Sequence, residues 1–229
     1  MSSGSSTNGT TVPAPQDGAF ELQAGDLLLK RSDGSVLNRG IQAGQSAKGF
    51  RYPDYVHAAI AGGTRQVVEM GGDGIVENDI LTTDAGYTYA VFRCRDHDLA
   101  AGAGETAKML LAGVRNDNAF DIRYTCLGAF RSLGEGVPSH DDDRVNKILD
   151  TLGGGGKADF FCSGFAVWCY VVALEQTAIH HGAAPDHFWD LFDLRPEDYS
   201  PARLYEKLLN DRDCFDHPGI LNRGRLTPA

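Results

Sequence analysis

The chain has 229 residues, a formal charge of −10 and 42% hydrophobic residues, with an isoelectric point near 5.0. That length suits one domain with a sizeable core. So acidic a chain lacks the basic stripe that nucleic acid or an anionic lipid surface would need, so neither is expected as a partner.

In chain order, residues 1–20, "MSSGSSTNGTTVPAPQDGAF", have neither a basic start nor an apolar stretch, so they do not form a secretory signal and read as a flexible tail. Residues 21–229 read as a single domain. Between 24 and 95 the segments "GDLLLK" (25–30), "YVHAAIA" (55–61), "QVVEM" (66–70), "GIVEND" (74–79) and "YTYAVFRCR" (87–95) predict strands. They are short, β-branched or aromatic, and punctuated by glycine, and their spacing favours antiparallel hairpins. Residues 40–53 read as a polar loop. From about residue 99 the period becomes helical, over 101–116, 141–156, Asp159 to Gln176, and 200–211, where Ser200 caps and Pro201 opens the helix. Strands followed by helices predict an α+β fold, an antiparallel sheet packed against helices. The longest apolar run, Phe160 to Leu174, is shorter than the roughly 20 residues that span a bilayer, so no integral membrane segment is expected.

The five cysteines, 94, 126, 162, 169 and 214, are odd in number and lack CxxC spacing. They read as reduced thiols, which points to the cytoplasm of the producing cell; a protein exported by a route independent of a signal peptide would look the same. Cys162 differs from the rest. With Asp159 as the cap it is the third residue of a helix, where free N–H groups and the helix dipole favour a thiolate and can hold an oxyanion. Ser163 and Gly164 would leave room for a substrate. Cys169, nearly two turns on, lies beyond that influence. A lone buried cysteine is more often a small hydrophobe, so the assignment needs a partner.

Among seven histidines, His57 interrupts an otherwise apolar strand, and the next strand carries one carboxylate, Glu69. Opposing 57 with 69 pairs 61 with 65 and leaves the three-residue loop Gly62-Gly63-Thr64, a common hairpin form. Opposed Cβ atoms lie roughly 4.5–5.5 Å apart, so Glu69 is expected to orient one ring nitrogen of His57 and leave the other for Cys162. Alone, His57 would read as a core histidine and Glu69 as a solvated carboxylate; the three together read as a site. Other motifs fail. "GGGGKA" (153–158) lacks the first glycine and the Ser/Thr of a phosphate loop. "HHGAAPDH" (180–187) and Asp141–Asp143 lack metal-ligand spacing, and Ser163 lacks a G-x-S-x-G elbow.

In this order "AGDLLL" (24–29), "YVHAAI" (55–60), "VVEM" (67–70) and "FFCSGFAV" (160–167) resemble the circularly permuted papain-like hydrolases: permuted NlpC-type proteins, YiiX-like amidases and lecithin retinol acyltransferase-like enzymes. "FCSGFAV" is the most specific match, and "RPEDYSPARL" (195–204) is similar to the segment that follows the helix in that group. The resemblance spans about residues 24–205. It implies a papain-like fold with Cys162 as nucleophile, His57 as base and acid, and Glu69 as orienter, where relatives often carry His, Asn or Gln. Asp26, Tyr55 and Ser163 would be site-wall residues. The implied chemistry is acyl transfer through a thioester, with no metal or organic cofactor. The expected function is a cysteine peptidase or amidase acting on a peptidoglycan-type peptide, including a delivered antibacterial effector countered by an immunity protein. A lipid ester hydrolase or acyltransferase, a protease or deamidase of a protein target, and a non-catalytic binding module are the alternatives.

Overall fold

The strands pair because each alternates residues for two faces and is joined to its neighbour by a tight turn or a short excursion. The computed structural model describes residues 20–72, 74–117, 121–124, 132–134, 136, 157–181 and 191–229. The helix expected over 141–156, Asp141–Asp143, Cys126, residues 1–19 and residues 182–187 of the histidine-rich segment lie outside the described residues.

Strands β1 (Leu27–Arg31), β2 (Tyr55–Ala61), β3 (Gln66–Gly71), β4 (Gly74–Asp79) and β5 (Thr88–Cys94) are joined by a C-terminal hairpin, β8 (Phe215–Asn222) and β9 (Arg225–Pro228), into a seven-stranded sheet of order β4-β3-β2-β1-β5-β8-β9. All its pairings are antiparallel. A separate parallel pair joins β6 (Asp121–Tyr124) to β7 (Lys157–Phe160). The described helices are α1 (Val36–Ala47), α2 (His97–Asp117), α3 (Cys162–His181) and α4 (Pro201–Asn210). The architecture is therefore α+β. The N-terminal edge of the domain includes Phe20, whose N–H bonds to the Gly224 carbonyl at 3.1 Å.

One face of the sheet (Leu27, Leu29, Ala58, Ile60, Val68, Met70, Phe92) packs under α3 and α2, and the other (Leu28, Ala59, Val67, Tyr89, Val91) forms a smaller core. Helix α3 is apolar all round because it is enclosed all round, as its burial from Cys162 to Leu174 shows. Close approach to α2 is set by Gly102, where an added Cβ would come within 3.3 Å of the Ala173 Cβ. Tyr170 adds a polar tie by donating to the Gly25 carbonyl at 2.7 Å.

Two local expectations need correction. Much of the stretch expected as a loop over 40–53 is helix α1, capped by Ser35, whose side chain accepts from the Asn38 N–H. Its Gln45, fully buried, donates to the Pro53 and Tyr55 carbonyls at 2.9 and 2.8 Å and accepts from the Ala202 N–H at 3.0 Å, tying α1 to β2 and α4. These bonds offset the helix-weakening glycines Gly40 and Gly44. The second correction concerns Asp159. It lies in β7, and α3 begins at Cys162, with the Phe161 carbonyl accepting the Phe165 N–H at 2.9 Å. Backbone pairing with β6 takes the residue that would otherwise cap.

Candidate active site

Because α3 begins at Cys162, this cysteine is the first helical residue rather than the third. The first four N–H groups of a helix have no intrahelical partner and carry the positive end of its dipole. Cys162 thus stands closer to that end than the sequence suggests, and no acidic residue occupies the first turn.

The base arrives from β2. His57 sits where the β1–β2 ladder slips: Lys30 pairs with His57 but Arg31 pairs with Tyr55, leaving Val56 extra. Such bulges re-aim side chains and are frequent beside active sites. Here the slip has a visible consequence. Glu69 opposes Ala59, a member of the smaller core, whereas Cys162 belongs to the core under the helices. His57 interacts with a group from each. Its Nε2 is 2.6 Å from the Glu69 Oε2, and the ring interacts electrostatically with Cys162. With Nε2 committed to the carboxylate, Nδ1 is the nitrogen left for sulfur.

The β2–β3 register differs by two residues from the expected one: Ala59, Ile60 and Ala61 pair with Glu69, Val68 and Val67. A two-residue shift preserves the face of every side chain, so His57 and Glu69 meet as diagonal rather than direct neighbours.

The electrostatics follow from these contacts. Burial alone would lower the imidazole, but interaction with Cys162 and then with Glu69 outweighs it and pushes His57 up to about 10. Burial would raise Glu69, yet hydrogen bonds from His57 and Asn78, with the charge of Lys30, hold it below the usual carboxylate range. The arrangement favours imidazolium against carboxylate. By contrast, Cys169 has no such partner, and burial drives its thiol far up; Cys94 is likewise pushed up to about 12, by burial first. Cys162 has no exposed surface, while the His57 side chain keeps 19% exposure, so solvent approaches the pair from the imidazole side.

Asn78 was not among the expected site residues. Its Nδ2 donates to the Glu69 Oε1 at 2.5 Å. The signal was available in "GGDG" (71–74): the pairing Gly71↔Gly74 places Val76 opposite Glu69 and Asn78 one diagonal further.

The expected wall residues are each tied into the fold. Asp26 is buried at the far end of β1 and takes a bidentate ion pair from Arg93, with Nε at 2.9 Å and Nη2 at 2.6 Å, plus the Gln23 N–H at 2.9 Å. Lys30, not Asp26, is the β1 residue opposite His57. Tyr55 is buried in the larger core and stacks on Tyr205 with ring centroids 3.9 Å apart. Ser163 is fully buried and donates to the Tyr199 carbonyl at 2.5 Å. Gly164 admits the short 3₁₀ turn Pro196–Asp198, since a Cβ there would lie 3.0 Å from the Pro196 oxygen. Both residues seat the segment after α3.

Among the described residues no group of three or more His, Cys, Asp or Glu is arranged to hold a metal ion, and no helix is long and apolar enough to cross a membrane. No family model, curated protein or solved structure matches the chain.

Proposed function

We propose that the chain is a cysteine hydrolase of the circularly permuted papain-like kind, working through a thioester on an amide bond. The observation that carries this reading is His57, hydrogen-bonded through Nε2 to Glu69 at 2.6 Å and coupled electrostatically to Cys162 at the head of α3. A nucleophile, a base and an orienter in series are what acyl transfer requires.

In the proposed cycle the Cys162 sulfur attacks the carbonyl carbon, and N–H groups at the start of α3, including that of Cys162, stabilise the oxyanion. The C–N bond breaks as the His57 proton passes to the leaving nitrogen. Water then gives a proton to His57 and attacks the thioester, and the thiolate leaves with the acid product. Glu69 keeps the proton on Nε2 throughout and balances the charge on the ring.

A peptidoglycan-type peptide is the preferred substrate, in keeping with an acidic chain of charge −10 and with the family resemblance of "FCSGFAV". The test is incubation with muropeptides and, separately, with phospholipid vesicles, followed by intact-mass detection of acyl-Cys162. Acylation and release of a cleaved peptide, both abolished in Cys162→Ala, are expected. Acylation by lipid alone would move the substrate to esters. Cleavage undiminished in Cys162→Ala would end the hydrolase reading based on this thiol.

A further inference from the structure

The polar residues around Glu69 form a diagonal row across four strands: Lys30 on β1, His57 on β2, Glu69 on β3 and Asn78 on β4. Glu69 is its centre. Its side chain is 12% exposed, and each oxygen accepts one short bond, from His57 at 2.6 Å and from Asn78 at 2.5 Å. Asn78 has a single orientation open to it here, because an ionised carboxylate accepts and does not donate. Asparagine is depleted in strands, and β4 is an edge strand of the sheet. Packing alone does not call for an amide at this place.

We infer that Asn78 is a positioning residue that fixes the rotamer and the charge of Glu69, and so governs the protonation of His57 from the next strand but one. The inference rests on the proposed hydrolase reading for its catalytic meaning, but the physical link can be tested without substrate. Among the described residues, the other charged or titratable groups facing Glu69 are Lys30, which favours its ionised form, the buried Asp84 between β4 and β5, and Tyr89 on β5. Asp84 accepts from the Tyr89 hydroxyl at 3.1 Å, and burial first, then the Glu69 charge, opposes its ionisation. Two carboxylates therefore compete for charge in one buried region, and Asn78 supplies a hydrogen bond to Glu69 alone.

The test is an NMR titration of the full chain, following the Glu69 carboxyl carbon and the His57 ring signals in wild type, Asn78→Leu, Asn78→Asp and Asn78→Ser. In Asn78→Leu the Glu69 midpoint should rise and the His57 midpoint fall, each by about one pH unit. Asn78→Asp preserves shape but sets two carboxyl groups together, so Glu69 should titrate in two steps with one shared proton. Asn78→Ser, which retains a donor, should stay nearer wild type. A residue that merely packs would leave the Asn78→Leu and Asn78→Ser midpoints where they are in wild type. Unchanged titrations in folded Asn78→Leu, or a single unshifted step in Asn78→Asp, would overturn the inference. Failure of the hydrolase reading is seen separately, as Cys162 alkylation that ignores His57→Ala while the titrations still shift.

Discussion

Glu69→Gln isolates charge from orientation at the centre of the site. Glu69 now accepts from two donors, His57 Nε2 and Asn78 Nδ2. Glutamine has one accepting oxygen and one NH₂, so one bond would oppose two donors unless a neighbour changes. Asn78 can do so by rotating its amide to present oxygen to the new NH₂, which leaves the glutamine oxygen for His57. Orientation survives and the counter-charge is lost. A charge-assisted hydrogen bond contributes about 1.5–3 kcal/mol and a neutral one about 1 kcal/mol. The difference corresponds to roughly one unit in the His57 midpoint and about tenfold in a step whose transition state carries imidazolium. The ring should therefore titrate about one pH unit lower in the variant than in wild type, as read by NMR of ring-labelled histidine, and turnover should fall about tenfold. An unshifted midpoint would refute the reasoning. So would turnover as low as that of His57→Ala, which would mean that Asn78 does not rotate and the ring is misoriented.

The remaining expectations separate structure from chemistry. Asp26→Asn should cost about 3 kcal/mol in urea unfolding, the lower end for breaking a buried pair because Arg93 is partly exposed, with Cys162 reactivity unchanged; lost reactivity at unchanged stability would return Asp26 to the site. Ser163→Ala leaves the Tyr199 carbonyl without its buried donor and should cost about 1–3 kcal/mol, again without abolishing reactivity in the folded protein. His57 is raised from 6.5 to about 10, so its contribution is full below pH 6.5 and fades as pH rises through about 10. Glu69 is lowered from 4.5, so its contribution is present above 4.5 and fades as pH falls through its folded value. The stability gap between wild type and His57→Ala should consequently be larger at about pH 6 than at about pH 9; a gap that widens with pH would contradict the assignment.

The sheet was legible in the sequence where hairpins are local, since alternation and glycine turns define β1 to β5. The His57–Glu69 contact was legible despite the wrong register, because slipping an antiparallel pair by two residues retains the face and one diagonal neighbour remains in reach. Asn78 needed the same arithmetic carried one hairpin further. Helix α1 was obscured by Gly40 and Gly44, and its support comes from Gln45 bonds to residues 8, 10 and 157 positions away. The cap at Asp159 was misplaced for a related reason: β7 pairs with β6, whose partner residues lie some 36 positions earlier, a tertiary choice invisible to local capping rules. Cys162 stayed at the helix head under either boundary. The small residues after it served packing against Pro196 and Tyr199, segments that only the folded chain brings together.

The central claim is that Cys162 is set apart from the other thiols by His57. Site-resolved alkylation with iodoacetamide at mildly acidic pH, comparing Cys162 with Cys94, Cys126, Cys169 and Cys214 in wild type and His57→Ala, tests it most directly. The account predicts that Cys162 reacts far faster than the other four and loses that advantage without His57. Reaction of Cys162 no faster than that of the enclosed Cys169, or equal rates with and without His57, would contradict it.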